Sequence, residues 1–138
     1  MRYATLFSSL LLSTQLIQAD PVDLKELNGD WHLRVMDGYD VRKVRAILEF
    51  DPDNMKIGGF DACNRIGGTL VKTKEGKYTS RLMSTRMACR GKSFIFVSKR
   101  LHEMIKQGFI ITKEKRYGID GITLKSTDHD LFFKRMGR

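Results

Sequence analysis

Two short stretches, FDACNRIGGTL at residues 60–70 and MSTRMAC at residues 83–89, decide the fold of this chain. Each stretch contains one cysteine, and Cys63 and Cys89 are the only cysteines in the 138 residues. A disulfide between them would stabilise the folded domain by about 3.5 kcal/mol, because it restricts the unfolded chain. The alternative is a pair of buried thiols, which behave as small apolar side chains. We predict the disulfide and leave the buried thiols as the alternative.

Residues 1–19 are predicted to be a secretory signal peptide. The segment contains Arg2 near its start, continues as an uncharged and largely apolar run to Ile17, and ends on the small residue Ala19. The run is too short and too rich in Ser and Thr for a comfortable membrane span, so we expect it to be removed. Export would place the mature protein in the periplasm or outside the cell, where disulfides persist. Residues 20–138 would then form one domain without a membrane span.

The charge of the mature chain limits its partners. The sequence contains 25 basic and 16 acidic residues, and only Arg2 lies in the predicted leader, so the mature net charge is +8. A positive charge of this size favours anionic envelope components such as lipopolysaccharide, acidic lipids or cell-wall polymers. Export makes nucleic acid the weaker choice. The alternative is a charged surface that only keeps the protein soluble.

Alternating apolar and polar residues predict about eight short strands, as in Trp31, Leu33 and Val35. Many short antiparallel strands must hide their edges, and closing the sheet is one solution. We therefore predict a mainly β (α+β) fold, a small antiparallel β-barrel-like domain with one helix packed on it. The strands predicted near the C-terminus are residues 109–112, 116–119, 122–125 and 131–135, with a two-residue hairpin turn at Asp120-Gly121.

One helix is predicted late in the chain. Ser93 can cap its start and Gly108 can end it. The apolar residues that recur there at helical spacing, and so predict a face in the core, are Phe94, Val97, Leu101, Met104 and Ile105.

The sequence contains no arrangement typical of catalysis or metal binding. Two separated cysteines do not supply the three or four ligands that a metal site needs. Asp51 and Asp53 belong to a predicted turn, so they do not combine with Asp61 into an acid pair. The histidines, each expected on the surface and none beside a candidate nucleophile, are His32, His102 and His129. We predict no catalytic residue, no metal and no cofactor.

Four stretches resemble the signature of the META domain family, the HslJ-like proteins. Cys63-Asn64-Arg65-Ile66-Gly67-Gly68-Thr69, followed by Ser84-Thr85-Arg86-Met87-Ala88-Cys89, is similar to the paired motif of that family in order and spacing. Leu27-Asn28-Gly29-Asp30-Trp31 resembles its opening, and the segment from Tyr117 to Leu124 resembles its closing hairpin. The resemblance covers about residues 24–135 and implies a small, mainly antiparallel β-barrel-like fold.

The resemblance implies a motif but no active site, because no catalytic residues are established for the family. We expect Asn64 and Thr85 to satisfy backbone groups in tight turns and Arg86 to bridge carbonyls or a carboxylate. Ala62 departs from the pattern, since the family often has glycine there. The motif residues that transfer are Cys63, Asn64, Gly68, Ser84, Thr85, Arg86, Met87 and Cys89.

These observations favour a non-enzymatic, monomeric protein of the bacterial envelope, since the family is found in envelope and secreted proteins that are often linked to stress. It would support stress tolerance by binding a protein partner or an anionic envelope component. One alternative is a carrier of a small molecule or lipid, because about eight strands can enclose one small ligand. Another is a secreted enzyme inhibitor, whose target would have to be acidic to attract a basic protein.

Overall fold

The computed structural model describes residues 22–137, so the predicted signal peptide lies outside the described residues. Short 3₁₀ turns at Leu24–Leu27, Arg42–Val44 and Pro52–Asn54 connect or precede the regular elements. The regular elements in this range are β1 (Gly29–Met36), β2 (Tyr39–Asp40), β3 (Ile47–Asp51), β4 (Lys56–Phe60), β5 (Arg65–Lys72), β6 (Tyr78–Ser80), β7 (Met83–Ser84), α1 (Lys92–Gln107), β8 (Ile110–Arg116), β9 (Ile119–Lys125) and β10 (Asp130–Arg135).

The strands form one curled antiparallel sheet, a half-barrel on which the single helix packs. The order along the sheet is β6-β5-β4-β3-β1-β10-β9-β8, while β2 pairs with β1 and β7 pairs with β5. Tyr78 in β6 and Phe109, directly before β8, exchange two backbone hydrogen bonds of 2.8 Å, which joins the two ends of this order. The predicted mainly β fold is confirmed. The strand count exceeds the expected eight partly because β2 and β7 contain only two residues each.

The core lies between the sheet and α1. Alternate strand residues point into it, as the period-two pattern predicts, and Leu33 and Leu48 are completely buried. From α1, the side chains of Val97, Leu101, Met104 and Ile105 enter the same cluster. Large side chains therefore fill the interior of the half-barrel, which counts against a ligand carried there.

The helix has the predicted apolar face but a different start. It begins at Lys92 after Gly91, so Ser93 lies inside the first turn and makes no capping hydrogen bond. Its end is as predicted: Gly108 adopts φ +94° and donates its backbone N–H to the carbonyl of Met104. A positive φ of this kind suits glycine because glycine has no Cβ.

The predicted hairpin turn at Asp120-Gly121 is wrong. The chain reverses at Tyr117-Gly118, both with positive φ, and β8 continues without interruption from Ile110 to Arg116. Gly121 lies inside β9, where a Cβ would collide with the carbonyl oxygen of Phe133. That glycine permits close packing of β9 on β10 and does not mark a turn.

Among residues 22–137, no helix is long and apolar enough to cross a membrane.

Candidate partner-binding site

The turn between β4 and β5 is built around the carboxylate of Asp61, whose residue is only 1% exposed. Its Oδ1 accepts the backbone N–H groups of Cys63 at 2.8 Å and Asn64 at 2.6 Å. The backbone N–H of Asp61 in turn donates to the carbonyl of Asn64. A short acidic side chain that folds back onto its own turn is a common way to fix such a bend.

The second oxygen of this carboxylate reaches the helix. Asp61 Oδ2 accepts the hydroxyl of Ser98 at 3.0 Å and lies 2.6 Å from Nε2 of His102. Burial by itself would raise the pKa of Asp61, but the hydrogen bonds from His102 and the two backbone groups outweigh it and lower the pKa below its usual value. We call Asp61, Ser98 and His102 the Asp61 cluster; it holds the turn against α1.

Ala62 lies between these contacts with a left-handed backbone, φ +86°. An L-residue with a Cβ is strained there, whereas glycine is not. The departure from the family pattern at this position therefore has a local cost and leaves the turn intact.

Cys63 and Cys89 are joined in a disulfide, as predicted from their number and the expected export. Asn64, the residue after Cys63, forms a second connection between the same two segments. Its Nδ2 donates to the carbonyl of Met87 at 3.3 Å, and its Oδ1 accepts the backbone N–H of Met87 and the hydroxyl of Thr85. The side chain of Asn64 thus supplies hydrogen bonds at Met87, which lies beyond the residues of this segment that pair with β5.

The segment before Cys89 is also bound along β5. Arg65 accepts the N–H of Thr85 at 3.0 Å and donates its own N–H to the Thr85 hydroxyl at 3.1 Å. Ser84 and Met83 pair with Ile66 and Gly67. A Cβ on Gly68 would overlap with the hydroxyl of Ser80, so this motif glycine permits the close approach of the next strand.

The side chains of this segment nevertheless face the solvent. We call residues 81–90 the motif loop. Met83 and Met87 are 80% and 58% exposed, and Arg81, Arg86 and Arg90 are exposed as well. Within residues 22–137 the side chain of Arg86 makes no hydrogen bond or ion pair, so the bridging role predicted for it is not found. The fold explains the cysteines, Asn64 and Thr85, but not these side chains.

The positive charge of the sequence is concentrated in the segment that contains this loop. Residues 62–92, which comprise β5, β6, β7 and the motif loop, include a single acidic residue, Glu75, whose carboxylate lies 3.8 Å from Lys77 Nζ. We call this part of the molecule the basic end. Its basic residues are Arg65, Lys72, Lys74, Lys77, Arg81, Arg86, Arg90 and Lys92. The remainder of the chain has nearly equal numbers of the two charges.

A second polar cluster, which no sequence pattern indicates, holds the other side of α1. Asp37 Oδ2 accepts Arg100 Nη1 at 2.7 Å and contacts His129 Nδ1 at 2.8 Å, while His129 Nε2 lies 2.9 Å from Glu103. Asp37 Oδ1 accepts the backbone N–H of Asp130. We call Asp37, Arg100, Glu103 and His129 the Asp37 cluster.

Burial in the Asp37 cluster would lower the pKa of His129, but hydrogen bonds to Asp37 and Glu103 outweigh it and raise that pKa. The His129 side chain is 8% exposed and that of His102 is 34% exposed and bonded to Asp61. The prediction of a surface position is therefore wrong for His129, which contacts Asp37 and Glu103, whereas His102 is partly exposed and contacts the buried Asp61. Sequence separations of 41 and 92 residues hid these pairs.

Several open grooves lie on the surface. One, about 960 Å³, runs between β2 and the start of α1 and is lined by Tyr39, Arg42, Lys43 and Phe96. Another, about 430 Å³, lies beside the motif loop between Phe60, Arg65 and Met87. Within the described range, no three His, Cys, Asp or Glu side chains are placed to hold a metal ion.

Comparison with known proteins gives a family but no activity. Two solved structures share the fold: the NMR structure of a protein from Burkholderia xenovorans, with 21% identity, TM-score 0.63 and coverage of 92% of this chain and 97% of that one, and a second NMR structure with 23% identity, TM-score 0.65 and coverage of 83% and 95%. No curated protein matches. The META domain profile matches residues 22–136, and the chain belongs to the META domain family.

Proposed function

We propose that this protein is an exported, non-enzymatic component of the bacterial envelope that supports stress tolerance by binding an anionic partner at its basic end. The observation that carries the proposal is the uneven charge: residues 62–92 hold eight basic residues and one acidic residue. A local excess of one charge attracts opposite charges far better than the same charge spread over the whole surface. Family membership and the disulfide are consistent with an envelope location but do not identify a partner.

Binding is favoured over catalysis because the buried polar groups are engaged with one another. Asp61 and Asp37 each accept several hydrogen bonds from the fold. Ser98 and His102 both contact the same oxygen of Asp61, so the serine is not placed for activation by the histidine. The exposed residues of the basic end, in contrast, are free to meet a partner. Turnover of an envelope polymer that is lost in a correctly folded Arg86→Ala variant would contradict a non-enzymatic function.

The test compares two sets of neutralised charges that change the net charge equally. The basic-end set is Lys74→Gln, Arg81→Gln and Arg90→Gln, and the control set, from β8, β9 and β10, is Lys115→Gln, Lys125→Gln and Lys134→Gln; all six side chains are exposed. The mature protein and both variants are titrated against polyphosphate and against phosphatidylglycerol vesicles. Each lost contact near an anionic surface should weaken binding about fivefold, so the affinity of the basic-end set should be about 100-fold lower than that of the wild type.

The control set should weaken binding by less than threefold. Equal losses in the two sets would mean that only net charge matters, and the basic end would not be the site. Absence of binding to either anion by the wild-type protein would also contradict the proposal. Complementation of a deletion strain under envelope stress then tests the physiological role: the control set should restore growth and the basic-end set should not.

A further inference from the structure

The motif loop presents two kinds of side chain together that the fold itself does not use. Met83 is the most exposed of the large apolar residues in the described chain, at 80%, and Met87 is 58% exposed. The exposed arginines Arg81, Arg86 and Arg90 alternate with them along the sequence. An apolar side chain exposed to water is a normal surface feature when it is alone. Two methionines among three arginines on one ten-residue segment indicate contact with a partner that has both apolar and anionic groups.

We propose that the motif loop docks onto a bilayer surface that contains anionic phospholipids, with Met83 and Met87 inserted among the lipids and the three arginines at the headgroups. This inference rests on the proposed function and identifies its anionic partner as a phospholipid surface. Charge complementarity favours this partner, because residues 81–90 contain three exposed arginines and no acidic residue. Acidic lipids attract such a segment with a strength that grows with each basic residue.

The methionines favour a bilayer over a soluble polyanion. A polyanion offers charge and hydrogen-bond acceptors but no apolar phase, so Met83 and Met87 would stay in water when it binds. An interfacial protein segment, in contrast, combines basic groups with apolar side chains that enter the boundary between headgroups and acyl chains. Methionine suits an irregular apolar phase because its unbranched thioether chain adapts to its surroundings.

The loop is also held ready for such a contact. The disulfide fixes its end at Cys89, Asn64 binds both backbone groups of Met87, and Thr85 pairs with Arg65. These attachments order the backbone while few of its side chains are buried. Because a preorganised segment loses little entropy on binding, two apolar side chains are enough to contribute measurably to affinity.

The experiment measures partition of the full mature protein between buffer and vesicles of phosphatidylglycerol or of phosphatidylcholine, by co-sedimentation. The Met83→Ser, Met87→Ser double variant should lose at least tenfold in affinity for phosphatidylglycerol vesicles, whereas Met83→Leu with Met87→Leu should stay within threefold. Met136→Ser is the matched control, since Met136 is 41% exposed but lies after β10. It should leave the affinity unchanged, and all variants should keep the wild-type unfolding midpoint.

The second part of the experiment tests the contribution of the arginines to vesicle binding. Arg86→Ala should weaken vesicle binding about fivefold and Lys115→Ala by less than twofold, and phosphatidylcholine vesicles should bind the wild type far more weakly. Wild-type affinity in the methionine-to-serine variant would overturn insertion of the loop. Binding to polyphosphate without binding to phosphatidylglycerol vesicles would also overturn the docking inference while the proposed function stands. If neither anion binds, both proposals fail.

Discussion

The two polar clusters that hold α1 to the sheet use the same chemistry with different reinforcement. In each, a largely buried aspartate accepts backbone N–H with one oxygen, two groups at Asp61 and one at Asp37, and contacts side chains from α1 or a facing loop with the other. The Asp61 cluster lies beside a disulfide, while ion pairs and a backbone hydrogen bond hold the Asp37 cluster without a covalent link. The Asp61 cluster, next to the disulfide, anchors an exposed loop, whereas the Asp37 cluster is an ionic contact that responds to pH.

The largest difference between the clusters should appear when each aspartate is removed. Asp61→Ala would leave two backbone N–H groups and the partners on α1 without an acceptor in a site that is 1% exposed, and should lower the free energy of unfolding by about 4 kcal/mol. Asp37→Ala should cost about 2 kcal/mol because Arg100 can turn to solvent. Urea denaturation measures both, with exposed Asp120→Ala as the control. Equal costs would mean that the two clusters are equivalent.

Removal of the disulfide should affect the surroundings of the Asp61 cluster more than those of the Asp37 cluster, and this is the second largest expected difference. The double variant Cys63→Ser, Cys89→Ser should lose about 3.5 kcal/mol, because the unfolded chain regains the freedom that the closed loop denied it. Hydrogen exchange should become faster in the motif loop by a larger factor than at the amide of Asp130, which is bound to Asp37. An equal increase at both places would show that the Asp37 cluster depends on the disulfide as much as the loop does.

The pH dependence should come from the Asp37 cluster. The pKa of His129 is raised in the folded protein, so its stabilising effect is complete below its ordinary value of 6.5 and is lost as the pH rises through the folded pKa. His129→Gln should therefore cost about 2 kcal/mol at pH 5.5 and clearly less at pH 9. His32 is the control, because burial, followed by Arg34, lowers its pKa. His32→Gln should therefore raise the free energy of unfolding at pH 5.5 relative to pH 9, which is opposite to the effect of His129→Gln. Urea titrations at both pH values measure this, and a cost for His129→Gln that is independent of pH would contradict the assignment.

The smallest expected effect concerns the backbone of the Asp61 turn. Ala62→Gly should relieve a φ of +86° and raise the free energy of unfolding by about 0.5 kcal/mol, after the loss of one buried methyl group is subtracted. Asp37 also has a positive φ, +51°, but aspartate tolerates that region. Thermal unfolding should detect the gain; a loss would mean that packing of the methyl group outweighs the strain.

The sequence predicted what depends on neighbours along the chain. Alternation at Trp31 and Leu33, the apolar face of α1 and the paired cysteine motif are local patterns, and the fold follows them. The predicted inward position of Val35 is wrong, because β1 shifts register after Leu33 and buries Met36 instead. The turn at Tyr117-Gly118 was missed because Asp120-Gly121 is the stronger dipeptide signal, and only packing against Phe133 explains why Gly121 lies in a strand.

Contacts between distant segments could not be predicted in the same way. Asp37 and His129 look like ordinary loop residues until the fold brings them together, and no local period marks them. The exposure of Arg86 was missed for the opposite reason, because a motif residue was assumed to serve the fold. Whether a side chain in an irregular segment is buried depends on tertiary packing, which residue type alone does not determine.

The bridge between Tyr78 and Phe109 has a consequence for solubility. Open sheet edges offer unpaired backbone groups to other copies of the same chain, which is how fibrils grow. At Tyr78 both backbone groups are already bonded within the molecule. Farther along β8 the exposed Lys115 makes the approach of a second copy unfavourable by charge repulsion. The half-barrel thus reduces its own tendency to aggregate at both ends of its sheet.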